Sequence, residues 1–170
     1  MSARTDAGPR QLAGLAGLQA AVGQVLGLSP WLRVDRSRID LFADATGDRG
    51  SVSTGPASST VGLHPGTLAQ EYLTMSLLPS FARQNYQVVG TRMALNYGLE
   101  AVRFPAPVSV DARIRVRTEL VAVQEGAGSA TARFRHTVEV ETSTEPACVA
   151  EMLIRYVFEP DAPASSQVPG

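Results

Sequence analysis

The chain has 170 residues, with 15 basic and 16 acidic side chains, two histidines, one cysteine and 44% hydrophobic residues, the profile of one globular domain able to bury a core. A net charge of -1 offers no basic footprint for nucleic acid or an anionic membrane surface. Cys148 and two histidines fall short of a zinc site, and all 15 basic residues are arginine, which removes lysine Schiff-base and P-loop chemistry; no metal centre or cofactor is expected.

Residues 1–10 are polar and lack the apolar core of a signal peptide, so a disordered start and a cytoplasmic location are expected. Residues 11–26 are apolar but interrupted by glycines, which predicts a short helix running into an extended segment. Asp35 is placed to cap a helix over residues 36–46, in which Ile39, Phe42 and Ala43 recur at helical spacing and Gly47 supplies the stop. Residues 47–66 form a Gly, Ser, Thr and Pro stretch that reads as a long loop, a feature usually functional or mobile. Residues 67–83 then carry apolar side chains around the whole helical circumference, the pattern of a buried helix, with Pro79 expected to bend or end it. Glu71 is the only side chain from residue 67 to 82 that carries charge at neutral pH.

Beyond this helix the period switches to two. Residues 87–104 supply one or two strands broken near Gly98, and residues 111–124 alternate Ile114, Val116 and Leu120 with Arg113, Arg115 and Arg117. Glu125-Gly126-Ala127-Gly128 reads as a hairpin turn into a strand carrying Phe134, Val138 and Val140. Residues 148–158 give a last strand, and residues 160–170 a disordered tail rich in Pro, Ala and Ser. The domain is therefore expected over residues 11–159, as a helix followed by an antiparallel meander.

Four motifs in order carry a resemblance: Phe42-Ala43-Asp44-Ala45-Thr46-Gly47-Asp48; Leu77-Leu78-Pro79; Leu95-Asn96-Tyr97-Gly98-Leu99 with Val102-Arg103-Phe104-Pro105-Ala106-Pro107-Val108; and Pro146-Ala147-Cys148-Val149-Ala150-Glu151. Together they resemble the MaoC-like (R)-specific enoyl-CoA hydratases and dehydratases over residues 22–158. The resemblance implies an α+β hot-dog domain, a curved antiparallel sheet wrapped around a central buried helix, usually dimeric. It also implies an Asp-x4-His pair that handles the water added to or lost from a carbon-carbon double bond, chemistry that needs an acid and a base within reach of one water.

Two departures from that family stand in the sequence. Five residues after Asp48 the chain has Ser53, which can position a water but has no useful pKa near neutrality, so ordinary hydratase activity is expected to be weak or absent. Where the family has His-Gly at the helix start, this chain has Gln70-Glu71. The run Pro65-Gly66-Thr67-Leu68-Ala69-Gln70-Glu71 is instead similar to the Pro-Gly-x-Leu-x-x-Glu of the beta-hydroxyacyl-carrier dehydratases, in which the glutamate is catalytic; their partner histidine would fall at Ala57.

Asp48 and Glu71 are thus the candidate acid and base, with Ser53 beside them. Asp48 has a second reading as a loop carboxylate capping local amides, and Glu71 as a first-turn glutamate favoured by the helix dipole. Phe42, Tyr72, His64, Asn96, Tyr97 and Arg103 are candidates to line an apolar acyl tunnel. His136, on the inward side of its strand, and Cys148 read as core residues. Two functions remain: a diverged enzyme on an acyl thioester or polyketide-type intermediate, performing dehydration, hydration or a derived cyclisation or isomerisation, or an inactive protein that binds acyl chains or pairs with an active partner. A homodimer is expected, with no nucleic-acid or membrane partner.

Overall fold

A long antiparallel sheet curls against a helix that is broken at its middle. The computed structural model describes residues 8–48 and 68–158. Its elements in chain order are β1 (Arg10–Ala13), α1 (Gly14–Ala20), β2 (Val25–Leu28), β3 (Leu32–Arg33), α2 (Arg36–Thr46), α3 (Glu71–Ser76), α4 (Leu78–Asn85), β4 (Tyr86–Val89), β5 (Thr91–Arg103), β6 (Arg113–Gly126), β7 (Ser129–Val140) and β8 (Cys148–Phe158). The main sheet runs β2-β6-β7-β8-β5, with β3 also paired to β6, and β1 pairs with β4 in a separate parallel ribbon. Among the described residues, no helix is long and apolar enough to cross a membrane.

The meander follows the sequence pattern closely. β6 and β7 pair from Ile114↔Val140 to Gly126↔Ser129, closed by a two-residue turn in which Gly128 takes φ 61°, a left-handed conformation that glycine adopts without strain. β5 is a single strand bent by a register shift between Asn96 and Gly98, which is the break read near Gly98. Arg113 and Arg115 lie on the outer face, ion-paired across the sheet to Glu141 at 2.9 Å and Glu139 at 2.8 Å. The Arg115 guanidinium also stacks over Trp31, 4.4 Å from its ring centre. The exposed Arg113–Glu141 pair contributes little individually.

α2 forms where expected. The Asp35 carboxylate accepts the Arg38 amide at 2.9 Å, and Gly47 closes the helix at φ 73°; such a cap stabilises a helix by about 1 kcal/mol.

The helix expected over residues 67–83 needs correction on two counts. It is two segments, α3 and α4, with Leu77 between them, and Pro79 sits in the first turn of α4, where its missing N–H costs least. It is also not buried all round. Leu73, Leu78 and Phe81 face the sheet, but Glu71, Tyr72 and Ser76 are exposed, Tyr72 by 62%. The sheet of one chain covers one side of the helix and leaves the other open.

The inner face of the sheet supplies two clusters. One joins Val34, Ile39, Leu73, Leu78 and Phe81 to Ile114, Val116, Val138 and Cys148. The other joins Leu12, Leu18 and Leu26 to Tyr86, Leu120, Phe134 and Tyr156. Each fully buried large apolar side chain stabilises the fold by about 1.5–3 kcal/mol. Cys148 is a core residue as expected, and burial pushes its thiol up to about 11.

Candidate active site at the start of the central helix

Asp48 leaves α2 just past the Gly47 cap and is half-buried. Its amide approaches Thr46 Oγ1 at 3.3 Å, and its carbonyl oxygen accepts a hydrogen bond from Gln70 Nε2 at 3.4 Å. Gln70 precedes the first residue of α3 and is only 2% exposed, with its Oε1 sealed from solvent and without a hydrogen-bond partner among the described residues. An orphaned buried amide oxygen is costly. Gln70 therefore ties the end of α2 to the start of the central helix, and it brings the main chain of Asp48 next to the residue preceding Glu71.

Glu71 itself is exposed in the single chain. Ser53 and His64 lie outside the described residues, as does most of the loop read over residues 47–66.

The remaining tunnel candidates divide. Phe42 packs against the first core cluster, as do Met75 and Phe104. Tyr72, although exposed, lies 6.1 Å from the Phe104 ring. Asn96 lines a cavity of about 320 Å³ between α4 and the inner face of β5, β7 and β8. Tyr97, 59% exposed, instead lines a groove with Arg133 and Arg155, and the Arg155 guanidinium lies 5.8 Å from its ring centre. Arg103 is exposed at the end of β5. Among the described residues, no group of three or more His, Cys, Asp or Glu is placed to hold a metal ion.

One polar network was only partly legible. His136 is 1% exposed, and its Nδ1 lies 3.1 Å from Thr118 Oγ1, its cross-strand partner. Asn85, the last residue of α4, donates from Nδ2 to Thr118 Oγ1 at 2.8 Å and to the Val116 carbonyl at 2.9 Å. The close approach needs Gly27, because a Cβ there would meet the Asn85 backbone at 3.0 Å. The strand alternation points His136 inward, and Thr118 falls on the same inward period as Ile114, Val116 and Leu120, whereas Asn85 carries no such signal.

Burial holds the His136 imidazole down at about 4, against an ordinary 6.5. The folded state therefore binds fewer protons than the unfolded state between those values, and stability rises with pH across that window. Its full contribution is present above about pH 6.5 and is lost as pH falls toward 4. Unfolding in urea at pH 7 and pH 5 should differ by about 2 kcal/mol from this group, and His136→Gln should flatten that part of the profile.

A curved antiparallel sheet laid against a central helix, with an aspartate loop tied to the helix start, defines a hot-dog protein. Residues 18–143 match the MaoC like domain, and the chain belongs to the MaoC-like family. It is 44% identical over 149 residues to 3-hydroxyacyl-thioester dehydratase Z of Mycobacterium tuberculosis, covering 87% of this chain and 99% of that one. It is 37% identical to nodulation protein N of Rhizobium leguminosarum bv. viciae, covering 86% of this chain and 93% of that protein. A MaoC-like dehydratase structure from Rhodospirillum rubrum superposes with a TM-score of 0.65 at 17% identity, covering 82% of this chain and 94% of that one, and supports the fold.

Proposed function

We propose that this chain acts on an acyl thioester as a diverged hydro-lyase or derived cyclase or isomerase, with Asp48 and Glu71 as its proton carriers and Ser53 in place of the family's histidine. The contact from Gln70 to the Asp48 carbonyl carries this reading, because it sets Asp48 beside the residue that precedes Glu71. The 3-hydroxyacyl-thioester dehydratase relative supports the substrate class. The experiment is turnover of 3-hydroxyacyl- and enoyl-CoA thioesters by the wild-type chain, Asp48→Asn and Glu71→Gln. Turnover lost in both variants supports the pair, and a Glu71→Gln protein as active as wild type removes Glu71 from it.

The inactive reading keeps one observation in its favour, the exposure of Glu71 in the single chain. A protein that binds acyl thioesters without converting them would establish it.

The chain is further proposed to work as a homodimer. β5 is the last strand of the main sheet, thirteen residues long, and leaves Met93, Leu95, Tyr97 and Leu99 exposed. A long apolar edge strand is a template for pairing. Met93→Glu with Leu95→Glu should convert a dimer into a monomer by sedimentation, with the fold retained by circular dichroism.

A further inference from the structure

We propose that Gln70 is a positioning residue: its side-chain amide holds the main chain of Asp48 where the carboxylate works, at a net loss of stability to the fold. The proposal rests on the acyl-thioester reading, in which Asp48 is a proton carrier.

Gln70 is fixed from both sides. Just before it, Leu68 bridges to Ser109, and the Ala69 amide donates to the Val108 carbonyl at 2.8 Å. Just after it, its own carbonyl opens the central helix by accepting the Leu73 amide at 3.1 Å and the Thr74 amide at 3.3 Å. The backbone is thus held at both ends, and the side chain, 2% exposed, has little freedom to turn away. Asp48 is less confined. It follows the left-handed Gly47 cap at φ 73° and is half-buried, so its carbonyl is a point at which a rigid neighbour can steady the chain.

The amide orientation follows from its acceptor. A carbonyl oxygen only accepts, so the group facing it at 3.4 Å is Nε2–H, and Oε1 takes the opposite position. There Oε1 is sealed from solvent and has no hydrogen-bond partner among the described residues. The bond made is long and the oxygen stranded is desolvated, so the stranded oxygen costs more than the bond contributes. For stability alone, an apolar side chain of the same length would serve better. A buried amide that costs stability beside a candidate proton carrier is the pattern of a group that serves the site.

Gln70→Met keeps the length and removes both polar atoms. Its thermal midpoint should stay level or rise, while kcat on a 3-hydroxyacyl-CoA thioester should fall by about 10², the effect of a displacement near 1 Å, with KM hardly changed. In an Asp48→Asn background the same substitution should add no further loss, because Gln70 acts through Asp48. Gln70→Glu offers a side-chain donor only when protonated, so its activity relative to wild type at the same pH should recover as pH falls. A midpoint that drops in Gln70→Met, an unchanged kcat, or an equal loss of kcat with and without the Asp48 carboxylate overturns the proposal. Hydrogen exchange separates it from the thioester reading, since the amides of residues 46–48 should exchange faster in Gln70→Met than in wild type. Where the wild-type chain converts no thioester, faster exchange in the variant supports the tether and overturns the thioester reading, and unchanged exchange overturns the tether as well.

Discussion

Asp48→Asn should lower the turnover of an acyl-thioester substrate by a factor of about 10² to 10⁴, the usual worth of one positioned acid or base. The substitution is well suited to separate chemistry from folding. Gln70 holds the main-chain carbonyl of Asp48, not its carboxylate, so an amide side chain leaves that tether intact. Glu71 is exposed, and Glu71→Gln should change stability by less than about 0.5 kcal/mol. If the two carboxylates act as one unit, the double variant should be hardly slower than the slower single variant, because removing either member already disables the pair. Multiplying effects would instead assign them to separate steps. Full activity in Asp48→Asn would remove Asp48 from the proton carriers and place the chemistry on another group. Steady-state kcat and KM decide the matter, since a loss confined to KM would report binding alone.

The strands were legible because one wet face and one dry face impose a period of two, and Ile114, Val116, Phe134 and Val138 all lie on the buried side. α2 was legible because Asp35 and Gly47 each have a local job that few other residues do as well. The central helix was misread for a reason a hydropathy pattern cannot resolve. Apolar side chains on every side show that every side is suited to burial, but not which sides one chain covers, and Tyr72 remains open to solvent. The site was legible only in part. Asp48 is a candidate through its motif alone, whereas Gln70 stands in the sequence only as a departure, without any sign that its side chain reaches the Asp48 carbonyl. The contacts of His136 depend on Thr118 and Asn85 meeting across 18 and 51 residues of sequence, a proximity created by strand register and by the end of α4.

Phe134→Ala should destabilise the fold by about 3–5 kcal/mol, the range for removing a buried aromatic side chain. Phe134 is fully buried at the centre of the second cluster. Its ring stacks on Tyr86 with centres 4.6 Å apart and an 18° tilt, and meets Tyr156 edge-on at 6.4 Å. Aromatic pairs of this kind add about 0.5–1.5 kcal/mol beyond their area. The loss should be hard to relieve by relaxation, because the two tyrosines come from β4 and β8, elements held by different partners: β4 by the parallel ribbon with β1, and β8 by β7 and β5. Urea titration should therefore show a large fall in midpoint at unchanged slope. Leu41→Ala on the exposed side of α2, where Leu41 is 67% exposed, should move the midpoint by less than about 0.5 kcal/mol equivalent. A Phe134→Ala loss below about 1 kcal/mol, far under the cavity range, would show that the second cluster closes over the missing ring. In that case β4 and the β1 ribbon would be pliable, and the cavity beside them, lined by Tyr86 and Tyr156, would have a movable wall.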